Sequence, residues 1–106
     1  MRRFHISIAV DNFSASLAEY SKRLGCEPEI TQDGRYALWR TDLLNFTISC
    51  RKDQLPTRVR HIGFEDDSLH GFSEQTDCNG IVWEYFSPAA QQAEIDEKFP
   101  QAIMHG

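Results

Sequence analysis

The sequence repeats a short strand pattern, and this repeat constrains the fold more than any other feature. Phe4-His5-Ile6 recurs as Arg60-His61-Ile62, an offset of 56 residues from residue 5 to residue 61. Around the first copy, apolar residues alternate with smaller or polar ones, which is typical of a strand with one face on a core. In a chain of 106 residues, a repeat at this offset predicts a duplicated module.

The first copy, residues 1–50, has the pattern of a strand, a helix and two or three more strands. Asp11, Asn12 and Ser14 are candidate N-caps of the helix, and Gly25 stands where a glycine would end it after about three turns. The later strands are predicted at Glu27–Gln32, Arg35–Arg40 and Asn45–Cys50, with a turn at Asp33-Gly34.

The second copy, residues 59–106, is shorter and follows a polar linker at 51–58 that contains Pro56. Its predicted elements are a strand at Val59–Glu65, a brief helical turn at Ser68–Gln75, a strand at Ile81–Phe86 and a helix at Ala89–Phe99. Ala93, Ile95 and Phe99 are the expected core contacts of that helix. The whole chain is thus predicted to be one α+β domain with a C-terminal covering helix.

Composition excludes several functional classes. The formal net charge is −5 with scattered basic residues, whereas nucleic-acid binding usually needs a basic face. No apolar run approaches the roughly 20 residues of a membrane-spanning helix. Cys26, Cys50 and Cys78 are odd in number and far apart, which favours reduced thiols over a disulfide framework or a zinc knuckle. These features predict a cytoplasmic protein that binds neither nucleic acid nor membrane.

Three residues form a candidate metal site. His5 and His61 occupy matching places in the repeated strands, and Glu84 lies in the last predicted strand. Two imidazoles and one carboxylate with open positions suit Fe(II), and they can also hold Mn, Ni, Co or Zn. The alternative is that each histidine is a hydrogen-bonded structural residue. Glu65 and His70 lie near the same strand but are not expected to be catalytic, because loop histidines and strand-end carboxylates are common.

Longer stretches resemble a known superfamily. His5 to Gly25, HISIAVDNFSASLAEYSKRLG, is similar to the opening strand and helix of the glyoxalase, bleomycin-resistance and extradiol dioxygenase superfamily, the vicinal oxygen chelate proteins. RHIGFE, from Arg60 to Glu65, resembles the first strand of that family's second module, and NGIVWEYF, from Asn79 to Phe86, its final strand. The resemblance implies a βαβββ glyoxalase-like module followed by a truncated second module.

The resemblance also implies roles for individual residues. In metal-dependent members a ligand lies on the first and last strand of each module. His5, His61 and Glu84 match the first, third and fourth ligands, while Thr47, in LNFTIS from Leu44 to Ser49, stands in the second place. A set without the second ligand is similar to that of the iron-dependent extradiol dioxygenases, which argues against glyoxalase chemistry.

Three functions therefore stay open. The first is a divalent-metal-dependent enzyme, a lyase or dioxygenase acting on a small oxygenated metabolite. The second is a metal-free binding or sequestering protein of the bleomycin-resistance type, and the third is a regulatory or assembly domain that keeps only the fold. Thr47, Tyr36 and Phe86 are the candidates for substrate contact, although strand aromatics such as Trp39 and Trp83 more often pack in a core. The shortened module suggests a homodimer, because an unfinished sheet edge invites association.

Overall fold

The computed structural model describes residues 1–50 and 57–105, so most of the predicted linker lies outside the described residues. The elements, in chain order, are β1 (Arg2–Ala9), α1 (Phe13–Leu24), β2 (Ile30–Gln32), β3 (Tyr36–Arg40), β4 (Leu44–Ser49), β5 (Arg58–Asp66), β6 (Phe72–Thr76), β7 (Val82–Phe86), α2 (Pro88–Lys98) and β8 (Ile103–Met104).

The strands form one mixed sheet in the order β6-β7-β5-β1-β4-β3-β2-β8. The central strand β1 runs parallel to β4 on one side and antiparallel to β5 on the other. On the far side of β5, β7 is again parallel to its neighbour. With two helices beside this sheet, the predicted α+β class is confirmed.

Helix α1 covers one face of the sheet, which we call the outer face. The Asn12 side chain accepts a hydrogen bond from the backbone N–H of Ala15, and Gly25 ends the helix at φ 74°, as predicted. The core beneath the helix contains Val10, Phe13, Ala37, Trp39 and Ile48.

Helix α2 packs on the opposite face, which we call the inner face. The Ser87 hydroxyl caps its first turn by accepting from the backbone N–H of Ala90, and Pro88 occupies that turn. Ile95 and Phe99 are buried against β2 and β3, as predicted. The expectation for Ala93 is wrong, since it is exposed.

The second half of the chain departs from the prediction at one element. The helical turn expected at Ser68–Gln75 is wrong, because Phe72–Thr76 forms β6 and pairs antiparallel with β7. Strand β8, which pairs with β2, had no sequence signal. Neither α1 nor α2, the helices of the described residues, is long and apolar enough to cross a bilayer.

Gly63 lets the strands of the second half lie close together. It pairs with His5 of β1 on one side and with Glu84 of β7 on the other. A Cβ atom built on Gly63 would lie 1.8 Å from the backbone oxygen of Glu84. Since the obstacle is main chain rather than a flexible side chain, any larger residue would push β7 away from β5.

We therefore expect Gly63→Ala to destabilise the protein by more than about 2 kcal/mol, through backbone displacement at this contact. Gly80→Ala is the matched control, because φ is positive at both glycines, 158° at Gly63 and 80° at Gly80, but Gly80 has open space where its Cβ would lie. Urea unfolding of both variants measures the difference. Equal losses in the two variants would contradict the steric explanation.

Candidate metal centre

The strand period places the candidate ligand His5 on the inner face. His5, Ser7 and Ala9 are buried on that face, while Phe4, Ile6 and Ile8 alternate with them and are only partly buried. The His5 side chain is 3% exposed. The alternation in β1 predicts that His5 lies on the face opposite the bulkier aliphatic residues. This is confirmed, although the face with His5 is the more deeply buried one.

Two strand pairings bring the other two candidates to His5. The antiparallel register sets Ser7 opposite His61, so that the His5 and His61 Nε2 atoms lie 3.0 Å apart. The parallel pairing of β5 with β7 sets Glu84 beside Gly63. Glu84 Oε1 then lies 2.9 Å from His61 Nε2. One donor atom from each of these three residues lies within 4.8 Å of the other two.

The far side of the His5 ring faces Asn45 on β4. Its Nδ1 atom lies 2.9 Å from the Asn45 side-chain oxygen and 3.1 Å from the Asn45 carbonyl oxygen. Since both oxygens accept hydrogen bonds, Nδ1 carries the proton and Nε2 keeps its lone pair. His5 Nε2 therefore offers an electron pair to the point that His61 and Glu84 also face.

A buried charge cluster lies directly behind Asn45. Glu65 is 1% exposed, and its carboxylate accepts from Arg3 at 2.6 Å, from Arg40 at 2.7 Å and from Asn45 at 2.8 Å. Arg40 also pairs with Glu29. This cluster was not predicted, although Arg3, Arg40 and Glu65 all fall on the inner-face period of their strands, where an ionised residue needs a partner.

Burial and neighbouring charge change two pKa values here. Burial, supplemented by repulsion from His61, lowers the pKa of His5 from 6.5 to about 4, despite the opposing effect of its hydrogen bonds to the Asn45 oxygens. His5 is therefore neutral at pH 7 and available as a ligand. Burial alone would raise the pKa of Glu65, but hydrogen bonds from Arg40, Asn45 and Arg3 outweigh it and hold that pKa below its ordinary value.

The three candidate ligands open into a cavity between the inner face and α2. Thr47, Tyr36 and Phe86, the candidates for substrate contact, all line it and are buried. The remaining lining includes the hydroxyls of Ser7 and Ser49, the side chain of Arg60, and the apolar side chains of Phe72, Ile95 and Phe99. The space open to water-sized molecules is about 50 Å³, which holds a few water molecules.

The other sequence candidates lie elsewhere. Trp39 is fully buried in the core under α1, where its indole N–H donates to the Ser21 hydroxyl. Trp83 stacks on Phe64 and does not line the cavity. His70 is exposed in the loop before β6, and Glu65 belongs to the charge cluster. The cavity is thus lined by all three metal candidates and by all three candidates for substrate contact, whereas Trp39 and Trp83 pack elsewhere.

The lowered pKa of His5 predicts acid sensitivity. Between pH 6.5 and about 4 the unfolded chain binds a proton at His5 that the folded chain does not, so stability is complete above pH 6.5 and decreases as the pH falls through this window. The contribution of His5 is about 3 kcal/mol over the whole window.

Urea unfolding with a chelator present, from pH 7 down to pH 4.5, checks this for the wild type and His5→Gln. The wild type should lose more stability than the variant over this range. Parallel pH profiles for the two proteins would show that His5 is not the titrating group.

Comparison with known proteins adds information on the fold. No known protein family and no curated protein matches the sequence. Among solved structures, the fold is similar to a chain in the crystal structure of NAD-dependent benzaldehyde dehydrogenase from Legionella pneumophila, with a TM-score of 0.56. The two are 12% identical, and the match covers 79% of this chain and 97% of that chain. At this identity the likeness concerns the fold alone.

Proposed function

We propose that this chain is a divalent-metal-dependent enzyme of the vicinal oxygen chelate type that acts on a small oxygenated metabolite. The observation that carries the proposal is the convergence of His5 Nε2, His61 Nε2 and a Glu84 carboxylate oxygen at the wall of a cavity. Two neutral imidazoles and a carboxylate on one side of an ion are the donor set of the facial triad.

The donor spacing supports a metal. Ligands about 2.1 Å from an ion and at right angles to each other lie about 3 Å apart. The His5–His61 and His61–Glu84 donor atoms are separated by 3.0 and 2.9 Å. In the metal-free protein, His61 Nε2 faces the lone pair of His5 Nε2 and a carboxylate oxygen of Glu84. A proton on that nitrogen therefore lies between the same three donor atoms that would hold a cation.

The sheet register supports the duplicated-module interpretation. Ser7 of β1 pairs with Thr47 of β4, and Gly63 of β5 pairs with Glu84 of β7. Since Ser7 and Gly63 are related by the same 56-residue offset as His5 and His61, Thr47 and Glu84 hold equivalent places. The second ligand position of a four-ligand site is therefore occupied by a poor ligand, which favours a three-residue site with open positions.

The cavity residues have separate roles in this proposal. A divalent ion held by His5, His61 and Glu84 would supply Lewis acidity and a template for two neighbouring oxygens of a substrate. Phe86 and Phe99 shield the space from water. Burial raises the pKa of Tyr36, so its phenol stays protonated and can donate a hydrogen bond to a substrate oxygen.

The test is metal loading. Metal-free protein is loaded anaerobically with Fe(II), Mn(II), Ni(II) or Zn(II) in turn, and the bound metal is measured by elemental analysis after gel filtration. We expect about one ion per chain. His61→Gln and Glu84→Gln should weaken binding by more than about 100-fold, because even partners outside the first coordination sphere contribute about 10- to 100-fold.

His70→Gln is the matched control, since His70 is exposed and does not line the cavity, and it should bind metal as the wild type does. Substoichiometric uptake of every metal, or uptake unaffected by the ligand substitutions, would refute the metal proposal. Saturable binding of a small aromatic diol by metal-stripped protein would then favour the sequestering protein, for which Thr47 in the second ligand place is the supporting observation.

A further inference from the structure

A chain of hydrogen bonds connects the candidate ligand His5 to the buried charges behind it. Asn45 donates through Nδ2 to Glu65 Oε1 at 2.8 Å and to Gln91 Oε1 at 2.7 Å. Gln91 Oε1 also accepts from Arg40 Nη2 at 2.9 Å, and Gln91 Nε2 donates back to Asn45 Oδ1 at 3.2 Å. The Asn45 side-chain oxygen is then the atom that faces His5 Nδ1.

The charges at the ends of this chain fix the orientation of both amides. A guanidinium only donates, so Gln91 must present its oxygen to Arg40. An ionised carboxylate only accepts, so Asn45 must present its NH₂ group to Glu65. With either amide reversed, two oxygens or two donors would face each other inside the protein. The Asn45 oxygen is therefore held toward His5.

We propose that Asn45 is a positioning residue that fixes the tautomer of His5, with the Nδ1 atom protonated and the Nε2 lone pair facing the metal site. The inference rests on the proposed function, because the Nε2 lone pair serves as a ligand only when a metal is bound. In the metal-free protein that nitrogen is hydrogen-bonded to His61 Nε2 at 3.0 Å. Residues that orient a ligating histidine through its second nitrogen typically change metal affinity by about 10- to 100-fold.

The test compares Asn45→Leu with Asn45→Asp. Leucine removes the side-chain acceptor and leaves only the backbone oxygen at 3.1 Å, so the variant should populate both His5 tautomers and bind Zn(II) about 10- to 100-fold more weakly. Aspartate keeps an oxygen beside His5, and its other oxygen, which faces Glu65 and Gln91, is expected to be protonated because it lies beside the Glu65 carboxylate. This variant should restore the wild-type tautomer and bind more tightly than the leucine variant.

Two measurements are made on each protein. Long-range ¹H–¹⁵N correlation spectra of the metal-free protein report which His5 nitrogen is protonated, and competition with a chelating indicator gives the Zn(II) affinity. Ser21→Ala is the control for loss of one partly buried hydrogen bond, since the Ser21 hydroxyl accepts from Trp39 at 3.2 Å under α1. It should change neither measurement.

The outcomes separate this inference from the proposed function. A wild-type His5 protonated on Nε2 would overturn the inference even if Asn45→Leu did not fold. An unchanged tautomer and Zn(II) affinity in folded Asn45→Leu would also overturn it, while leaving the metal site intact. If the wild type binds neither Zn(II) nor any of the other three metals, the proposed function fails, and the inferred Nδ1-protonated tautomer is decided by the metal-free spectrum alone.

Discussion

The antiparallel pairing of β1 with β5 is the contact on which the rest of the structure depends. It joins the two halves of the sheet, since each half pairs internally through β1 with β4 or through β5 with β7. It also sets the distance between the two imidazoles, because Ser7 rather than His5 lies opposite His61. A shift of one residue in this register would turn every side chain of one strand to the other face.

Burial of the charged groups in the charge cluster costs free energy of desolvation, and the fold offsets that cost by giving each group a hydrogen-bond partner. Transfer of a carboxylate from water into a protein interior costs several kcal/mol unless partners satisfy it. Glu65 has Arg3, Arg40 and Asn45 as partners, and within the described residues every buried side-chain nitrogen or oxygen has a hydrogen-bond partner. We expect such a cluster to contribute less to stability than to a unique arrangement of the strands that carry it. Here that arrangement includes the orientation of Asn45 and, through it, the ring of His5.

The sequence predicted what local patterns encode and missed what only the tertiary structure creates. Alternation in β1, the caps of α1 and the proline at the start of α2 were sufficient to place those elements. The matching positions of His5 and His61 in the repeat were sufficient to predict that their side chains lie close together. The position of Glu84 in the last predicted strand was sufficient to add it to the same site. Phe72–Thr76 was not predicted as a strand, because its sequence does not alternate between apolar and polar residues. All of its residues are exposed. The contacts of Asn45 and Gln91 could not be predicted, because they depend on how β4 and α2 meet across the inner face.

If the two halves are duplicated modules, as proposed, the second half lacks the helix that covers the outer face. It has the strands that carry the candidate ligands. In the first half α1 connects β1 to β2 and covers the outer face, whereas residues 67–71 connect β5 directly to β6. Trp83 and Tyr85 each stack on Phe64, and all three rings are only partly buried. β5 and β7 nevertheless keep the parallel pairing of β1 and β4, and Gly63 keeps them close. The inner face therefore retains its donor geometry, because that geometry depends on the pairing between strands and not on the helix that packs behind them.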